Sequence, residues 1–262
     1  MFDLDAYLAR IGLSGRPGIA EVHRAHATTI PFENLDPHRG VRVSLAIDDL
    51  ERKLVRDRRG GYCFEQNLLL ATALEALGVE VDLMLARVRV GGVVRPPSHL
   101  VVRAFAGGDA WHADAGFGRG TLLEPIPFGP GGEYEQSGWR FRVVQDGPEY
   151  VLQAASESGW ADQYGFVPEP VPPVDIEVQN WFTSTHPRSP FVTGLIVSRY
   201  RDDGTLVALS DWDGLALTEA TPAESTVTPV ERGAIPELLA ERFGLNGFAL
   251  GTDGRVVATG HP

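Results

Sequence analysis

The single cysteine of this 262-residue chain, Cys63, stands in the run Arg58-Arg59-Gly60-Gly61-Tyr62-Cys63-Phe64-Glu65-Gln66-Asn67, where a glycine turn gives way to a helix-forming stretch. From Phe64 to Leu77 the chain is rich in helix formers, and it stops at Gly78, a natural C-terminal cap. Cys63 is therefore expected in the first helical turn, where unpaired N–H groups and the positive end of the helix dipole favour thiolate over thiol. The basic pair Arg58 and Arg59 is expected to act in the same sense. A thiol so placed is a nucleophile. The competing reading is a small buried hydrophobe chosen for packing, but the Gly-Gly turn and the neighbours Tyr62, Glu65 and Asn67 suit the lining of a cleft better than a core.

A cysteine nucleophile needs a base to take its proton and a third group to hold that base in the right tautomer. His99 and Asp114 are the candidates. They lie on two stretches of strand pattern, Ser98 to Phe105 and Ala110 to Asp114, joined by a turn containing Gly107-Gly108. With a two-residue turn, Asp114 faces Val101 and is diagonal to His99 on the same face, about 7–8 Å away at the backbone. His112 shares that face and is the alternative base. His23, His26, His38, His186 and His261 read as surface or satisfied core histidines. A single cysteine excludes a cysteine-rich metal site, and the histidine spacing has no helical metal-ligand pattern, so no metal is expected.

The elements that must position these residues follow from pattern. Leu4, Tyr7, Leu8 and Ile11 share a helical face after Asp3, a second helix runs from about Gly18 to Thr29, Ile30 to Leu35 reads as a loop, and a third helix covers about Ala46 to Arg56. After Gly78 the period changes to two, with Val79, Val81, Leu83, Leu85, Val88 and Val90. Strand pairs are expected around Asp146-Gly147 and Asp203-Gly204, a stiff proline connector at Pro168 to Pro173, a late helix from Gly233 to Phe243, and little pattern from Gly251 onward.

Composition sets the outer limits. With 43% hydrophobic residues the chain can bury a substantial core, and a net charge of −12 with 23 Lys and Arg gives no steering toward nucleic acid or an anionic membrane. One cysteine, no signal-peptide pattern after Met1 and no long apolar run point to a cytoplasmic protein.

Three motifs in order, Ile30-Pro31-Phe32-Glu33-Asn34-Leu35, Arg59 to Asn67, and Trp111-His112-Ala113-Asp114-Ala115-Gly116-Phe117-Gly118, resemble the arylamine N-acetyltransferase family, with a match extending from Tyr7 to about Val197 through Trp181-Phe182-Thr183-Ser184-Thr185-His186-Pro187. The resemblance implies an α+β fold of three parts: an N-terminal helical bundle carrying the nucleophile (1–84), a β-barrel carrying His and Asp (85–173), and an interdomain segment with a C-terminal α/β lid (174–262). It implies a Cys-His-Asp triad on Cys63, His99 and Asp114, and so decides His99 over His112. Phe32 matches a phenylalanine of the family's amine pocket, and Gly116-Phe117-Gly118 matches a glycine-containing loop near the acyl donor. His112 and Ala115 depart from the family's apolar wording around the acid.

The implied activity is ping-pong transfer of acetyl from acetyl-CoA, a cosubstrate and not a resident cofactor, through a Cys63 thioester to the nitrogen of an arylamine or hydrazine. Backbone N–H groups near Cys63 are expected to form an oxyanion hole. Ansamycin-type amide synthases share the motifs and the triad, and take a polyketide acyl chain from an acyl carrier protein to close a macrolactam; the short C-terminal part favours that alternative. A cysteine hydrolase and a non-enzymatic binding module are the readings outside the family.

Overall fold

The computed structural model describes residues 2–92 and 95–259, so His261 lies outside the described residues. The chain opens with α1 (Leu4–Arg10), whose first turn is capped by Asp3 accepting from the Ala6 amide at 3.0 Å, and α2 (Ile19–Thr29). Where the sequence pattern reads as loop, the chain forms the two-residue strand β1 (Phe32–Glu33) and the short helix α3 (Leu35–His38). The reason is long-range: β1 is an edge strand paired with residues 197 and 198, which local pattern does not see. Helix α4 (Ile47–Leu50) continues as a π-helical stretch over Glu51–Arg56, and α5 (Cys63–Ala76) follows.

The strands β2 (Glu80–Val88), β3 (His99–Ala106), β4 (Asp109–Ala113), β5 (Ile126–Pro127), β6 (Glu133–Gln136), β7 (Trp139–Asp146), β8 (Glu149–Ser156) and β9 (Gly159–Phe166) form one antiparallel sheet in the order β5-β4-β3-β2-β9-β8-β7-β6. It curls on itself. Gln136 at one end accepts from the Leu123 amide at 2.8 Å and donates to the Glu124 carbonyl at 2.7 Å, just before β5 at the other end. A side chain thus ties the two edges of the barrel. Period two along β2 divides the labour: Met84 and Ala86 fill the barrel with Val101, Phe141, Leu152, Tyr164 and Phe166, while Val81 and Leu83 face the helices.

After the prolines, α6 (Pro173–Thr185) and α7 (Pro190–Thr193) lead into β10 (Ile196–Tyr200), β11 (Leu206–Ser210), β12 (Ala216–Ala220) and β13 (Ser225–Pro229), an antiparallel sheet completed by β1. Val197, Val207 and Leu209 face α8 (Ile235–Phe243), which supplies Ile235, Leu239 and Phe243; Tyr200, Leu206 and Ala208 join the core of the N-terminal helices. β14 (Phe248–Leu250) and β15 (Val256–Ala258) form a hairpin, so the tail from Gly251 onward, which has little pattern in sequence, supplies a strand. Among the described residues no helix is long and apolar enough to cross a membrane.

Candidate active site

Cys63, the candidate nucleophile, is placed by two motifs that lock together. Arg59 donates to Glu33 at 2.7 Å and to Asp36 at 3.1 Å, and Lys53 bridges Asp36 and Glu65, both at 2.7 Å. The Gly61 carbonyl accepts from the Glu33 amide at 3.1 Å, and Gln66 Nε2 donates to the Pro31 carbonyl at 2.9 Å. This close approach explains the glycines: a Cβ on Gly60 would lie 2.0 Å from the Pro31 oxygen, and one on Gly61 would lie 2.7 Å from Glu65. Arg59 is therefore held by carboxylates instead of acting on the thiol, and Arg58 is exposed; the expected help from this basic pair is not what the structure provides.

Cys63 is the first residue of α5, with Tyr62 at the N-cap and the Glu65 carboxylate accepting from the Tyr62 amide at 3.1 Å. It is buried, and its thiol donates to the Ser98 carbonyl at 3.4 Å. Burial pushes the thiol up, and the carboxylates of Asp114 and Glu65 act in the same direction; the backbone N–H groups of Leu100 and Phe64 oppose them. The helix start favours the thiolate as the sequence implies, but burial outweighs it.

The hairpin of β3 and β4 has the register read from sequence: Val102 faces Ala113 and Arg103 faces His112 across Gly107-Gly108, both at positive φ (67° and 88°). Asp114, one residue past β4, then meets His99 on the same face, with His99 Nε2 donating to Asp114 Oδ2 at 2.7 Å. Tyr164 Oη donates to the same oxygen at 2.5 Å, while Asn67 Nδ2 and the Gly116 amide donate to Oδ1 at 2.7 and 3.0 Å. Burial alone would raise this carboxyl, but His99 and the hydrogen bonds from Tyr164 and Asn67 reverse that and hold it well below the usual carboxylate range.

Asn67 and Tyr164 have no place in the sequence reading as supports of the acid. Asn67 carried a signal, since it lies four residues after Cys63 and thus on the same helical face. Tyr164 carried none, because β9 reaches the site only through the barrel. The alternative base His112 is buried one step further back, with Nε2 2.8 Å from Tyr164 Oη and Phe128 and Phe166 around it. Among the remaining histidines, His26 is satisfied by Tyr7 and Gln66, and His186 stacks on Phe182. His23 and His38 are buried with no well-formed hydrogen bond to either ring nitrogen among the described residues, which departs from the surface or satisfied reading; the backbone of Leu123 and Asp114 lies near His23, and that of Gly194 near His38.

Phe32 packs in one apolar cluster with Tyr62, Cys63, Phe64 and Leu100, and Phe117 stands edge-on to His99 at 5.0 Å. A Cβ on Gly118 would approach the Phe32 ring at 3.2 Å, while Gly116 packs against the Asn67 amide behind Asp114. A cavity of about 710 Å³ opens between α6, Leu83 and the loop Arg42 to Ala46, beside this cluster, although the three triad candidates do not line it. Among the described residues no group of three or more His, Cys, Asp or Glu is placed to hold a metal ion.

The chain is similar to known N-acyltransferases. A profile described as N-acetyltransferase matches residues 18–248. The arylamine N-acetyltransferase of Mycolicibacterium smegmatis is 42% identical over 213 residues, 77% of this chain and 78% of that protein. The arylamine N-acetyltransferase of Mycobacterium tuberculosis is 36% identical over 264 residues, 96% of this chain and 92% of that protein. The structure of the Mycobacterium marinum arylamine N-acetyltransferase in complex with CoA superposes with a TM-score of 0.88 at 33% identity, covering 93% of each chain. With its helical bundle, barrel and α/β lid, and its match over most of its length, the chain belongs to the arylamine N-acetyltransferase family.

Proposed function

We propose that this protein transfers the acetyl group of acetyl-CoA to the nitrogen of an arylamine or hydrazine, with Cys63 as nucleophile, His99 as base and Asp114 as the group that orients His99. The observation that supports the roles is the buried pair of His99 and Asp114, in which His99 donates to an ionised carboxylate that accepts four hydrogen bonds, with the Cys63 thiol on the carbonyl of Ser98, the residue before His99.

In the first half-reaction the Cys63 proton passes to His99 and the sulfur attacks the thioester carbonyl; the new C–S bond to Cys63 replaces the one to CoA, whose thiol leaves with the proton from His99. Little energy is lost in exchanging one thioester for another. The acetyl group therefore stays reactive toward a weakly nucleophilic aromatic amine. In the second, the amine nitrogen attacks, His99 takes its proton, and Cys63 is released as thiol. Phe32 and Phe117, apolar and adjacent to Cys63 and His99, suit an aromatic acceptor.

The same reading places the reaction in the cytoplasm, where acetyl-CoA is at hand and a lone thiol stays reduced. An acyl carrier protein is the competing donor. The test is a panel of arylamines and hydrazines with acetyl-CoA, for wild type and Cys63→Ser. Amine-dependent CoA release that Cys63→Ser abolishes supports the reading. Release that no amine accelerates would make the protein a hydrolase, and turnover only from a carrier-bound acyl donor would make it an amide synthase.

A further inference from the structure

We propose that His112 is a positioning residue that works through Tyr164 to set the basicity of Asp114 and hence of His99. The inference rests on the roles assigned to His99 and Asp114 above, and on the direction of each proton in a buried chain.

Asp114 is an ionised carboxylate and can only accept. Tyr164 Oη, 2.5 Å from Oδ2, must therefore give its one proton to Asp114. Its oxygen is left as an acceptor, and the group that reaches it is His112 Nε2 at 2.8 Å. His112 is thereby assigned the tautomer with the proton on Nε2. Its Nδ1 is then a bare lone pair, which is the cheaper atom to leave buried without a partner, as it is among the described residues. The opposite tautomer would bury an unpaired N–H and set a second acceptor against the tyrosine oxygen.

The chain thus runs one way, from His112 to Tyr164 to Asp114, where it meets the proton of His99 on the same oxygen. The ring is placed to remain neutral. Burial lowers it to about 4, with Asp114 opposing and His99 and His23 assisting; Tyr164 is the other titratable group facing it, beside the apolar rings of Phe128 and Phe166. A neutral donor at the tyrosine oxygen polarises the O–H and strengthens its bond to Asp114 by about 10–30%. The carboxylate then has less charge to offer His99, and His99 gives up its proton at lower pH.

The test is the single-turnover reaction of acetylated Cys63 with an arylamine as a function of pH. No thiol titrates in that species, so the acid limb belongs to the base. His112→Leu is expected to move the limb upward by a few tenths of a pH unit, and His112→Gln, which returns an N–H donor near Nε2, is expected to restore it. An unmoved limb, equal shifts in both variants, or a uniform loss at every pH overturns the inference. Where His112→Leu does not fold, Tyr164→Phe breaks the same chain and must move the limb the same way; a wild-type limb there overturns it. Asp114→Asn serves as the control. It must lower the limb, and if it does not, the assignment of His99 and Asp114 has failed and not merely that of His112.

Discussion

Asn67 lies one turn beyond Cys63 on α5 and donates to Asp114 at 2.7 Å, so the helix that presents Cys63 also anchors Asp114. The same amide donates to the Leu100 carbonyl at 2.6 Å and accepts from the Ala115 amide at 3.1 Å. Asn67→Ala leaves all three partners buried without it. The expected loss of stability is about 2–4 kcal/mol, measured by urea unfolding, with kcat/KM reduced at least roughly tenfold because Asp114 loses one of its fixed donors. A stability change within about 0.5 kcal/mol, typical of an inert surface site, would remove Asn67 from this role.

Arg59 and Glu33 join the first two motifs, with Glu33 fully buried and Arg59 largely so. Breaking such a pair strands a charge and costs about 3–5 kcal/mol. Arg59→Met and Glu33→Leu are each expected to destabilise by this order, and the double variant by less than their sum, since neither charge is then stranded. A double-mutant cycle in urea checks it. Strict additivity would mean that the pair does not hold β1 against the Gly60-Gly61 turn.

Three buried histidines make the fold sensitive to acid. Burial lowers His23 to about 4, His26 to about 3 and His112 to about 4, from an ordinary value of 6.5. Below about pH 6.5 the unfolded chain takes up protons that the folded chain refuses, so stability falls as pH falls, by up to about 4 kcal/mol per pH unit for three such groups. The depressed carboxyls of Asp36 and Asp114 add their loss only below the ordinary carboxylate range. His38, also lowered by burial, adds to the decline, and Glu65, which burial pushes up to about 7, opposes it; urea unfolding at pH 7, 6 and 5 should still show a net decline, and His23→Leu should flatten it by roughly a third. A constant free energy from pH 7 to 5 would contradict this.

What the sequence reveals of this site is what is local. The register of β3 and β4 follows from Gly107-Gly108 alone, and with it the meeting of His99 and Asp114. The helix start at Cys63 follows from the glycine turn and the run of helix formers. The strand character of Phe32 and Glu33, the reach of Tyr164 to Asp114 and the capture of Arg59 by Glu33 and Asp36 all depend on partners far along the chain. Arg59 beside a cysteine looks like a cation for the thiolate. Only the fold shows that carboxylates reach it first.

The ionisation of Cys63 brings these terms together. Burial pushes an isolated thiol up, and the amides of Phe64 and Leu100 do not offset that. A thiolate near neutral pH therefore requires its proton on His99, as an imidazolium whose charge Asp114 balances. On this account alkylation by iodoacetamide stays fast well below the reference thiol value of about 8.5, and its acid limb belongs to the pair. Asp114→Asn removes the balancing charge, the imidazolium is lost, and burial is left to act on the thiol alone. The limb then moves upward, while in the acetylated enzyme the same substitution moves the limb of the amine step downward, because there it reports only a weaker base. Measuring both limbs on one variant separates the two effects. A wild-type alkylation profile that rises only around pH 8 to 9, as for an unperturbed thiol, or an Asp114→Asn limb that does not move, would show that no ion pair forms.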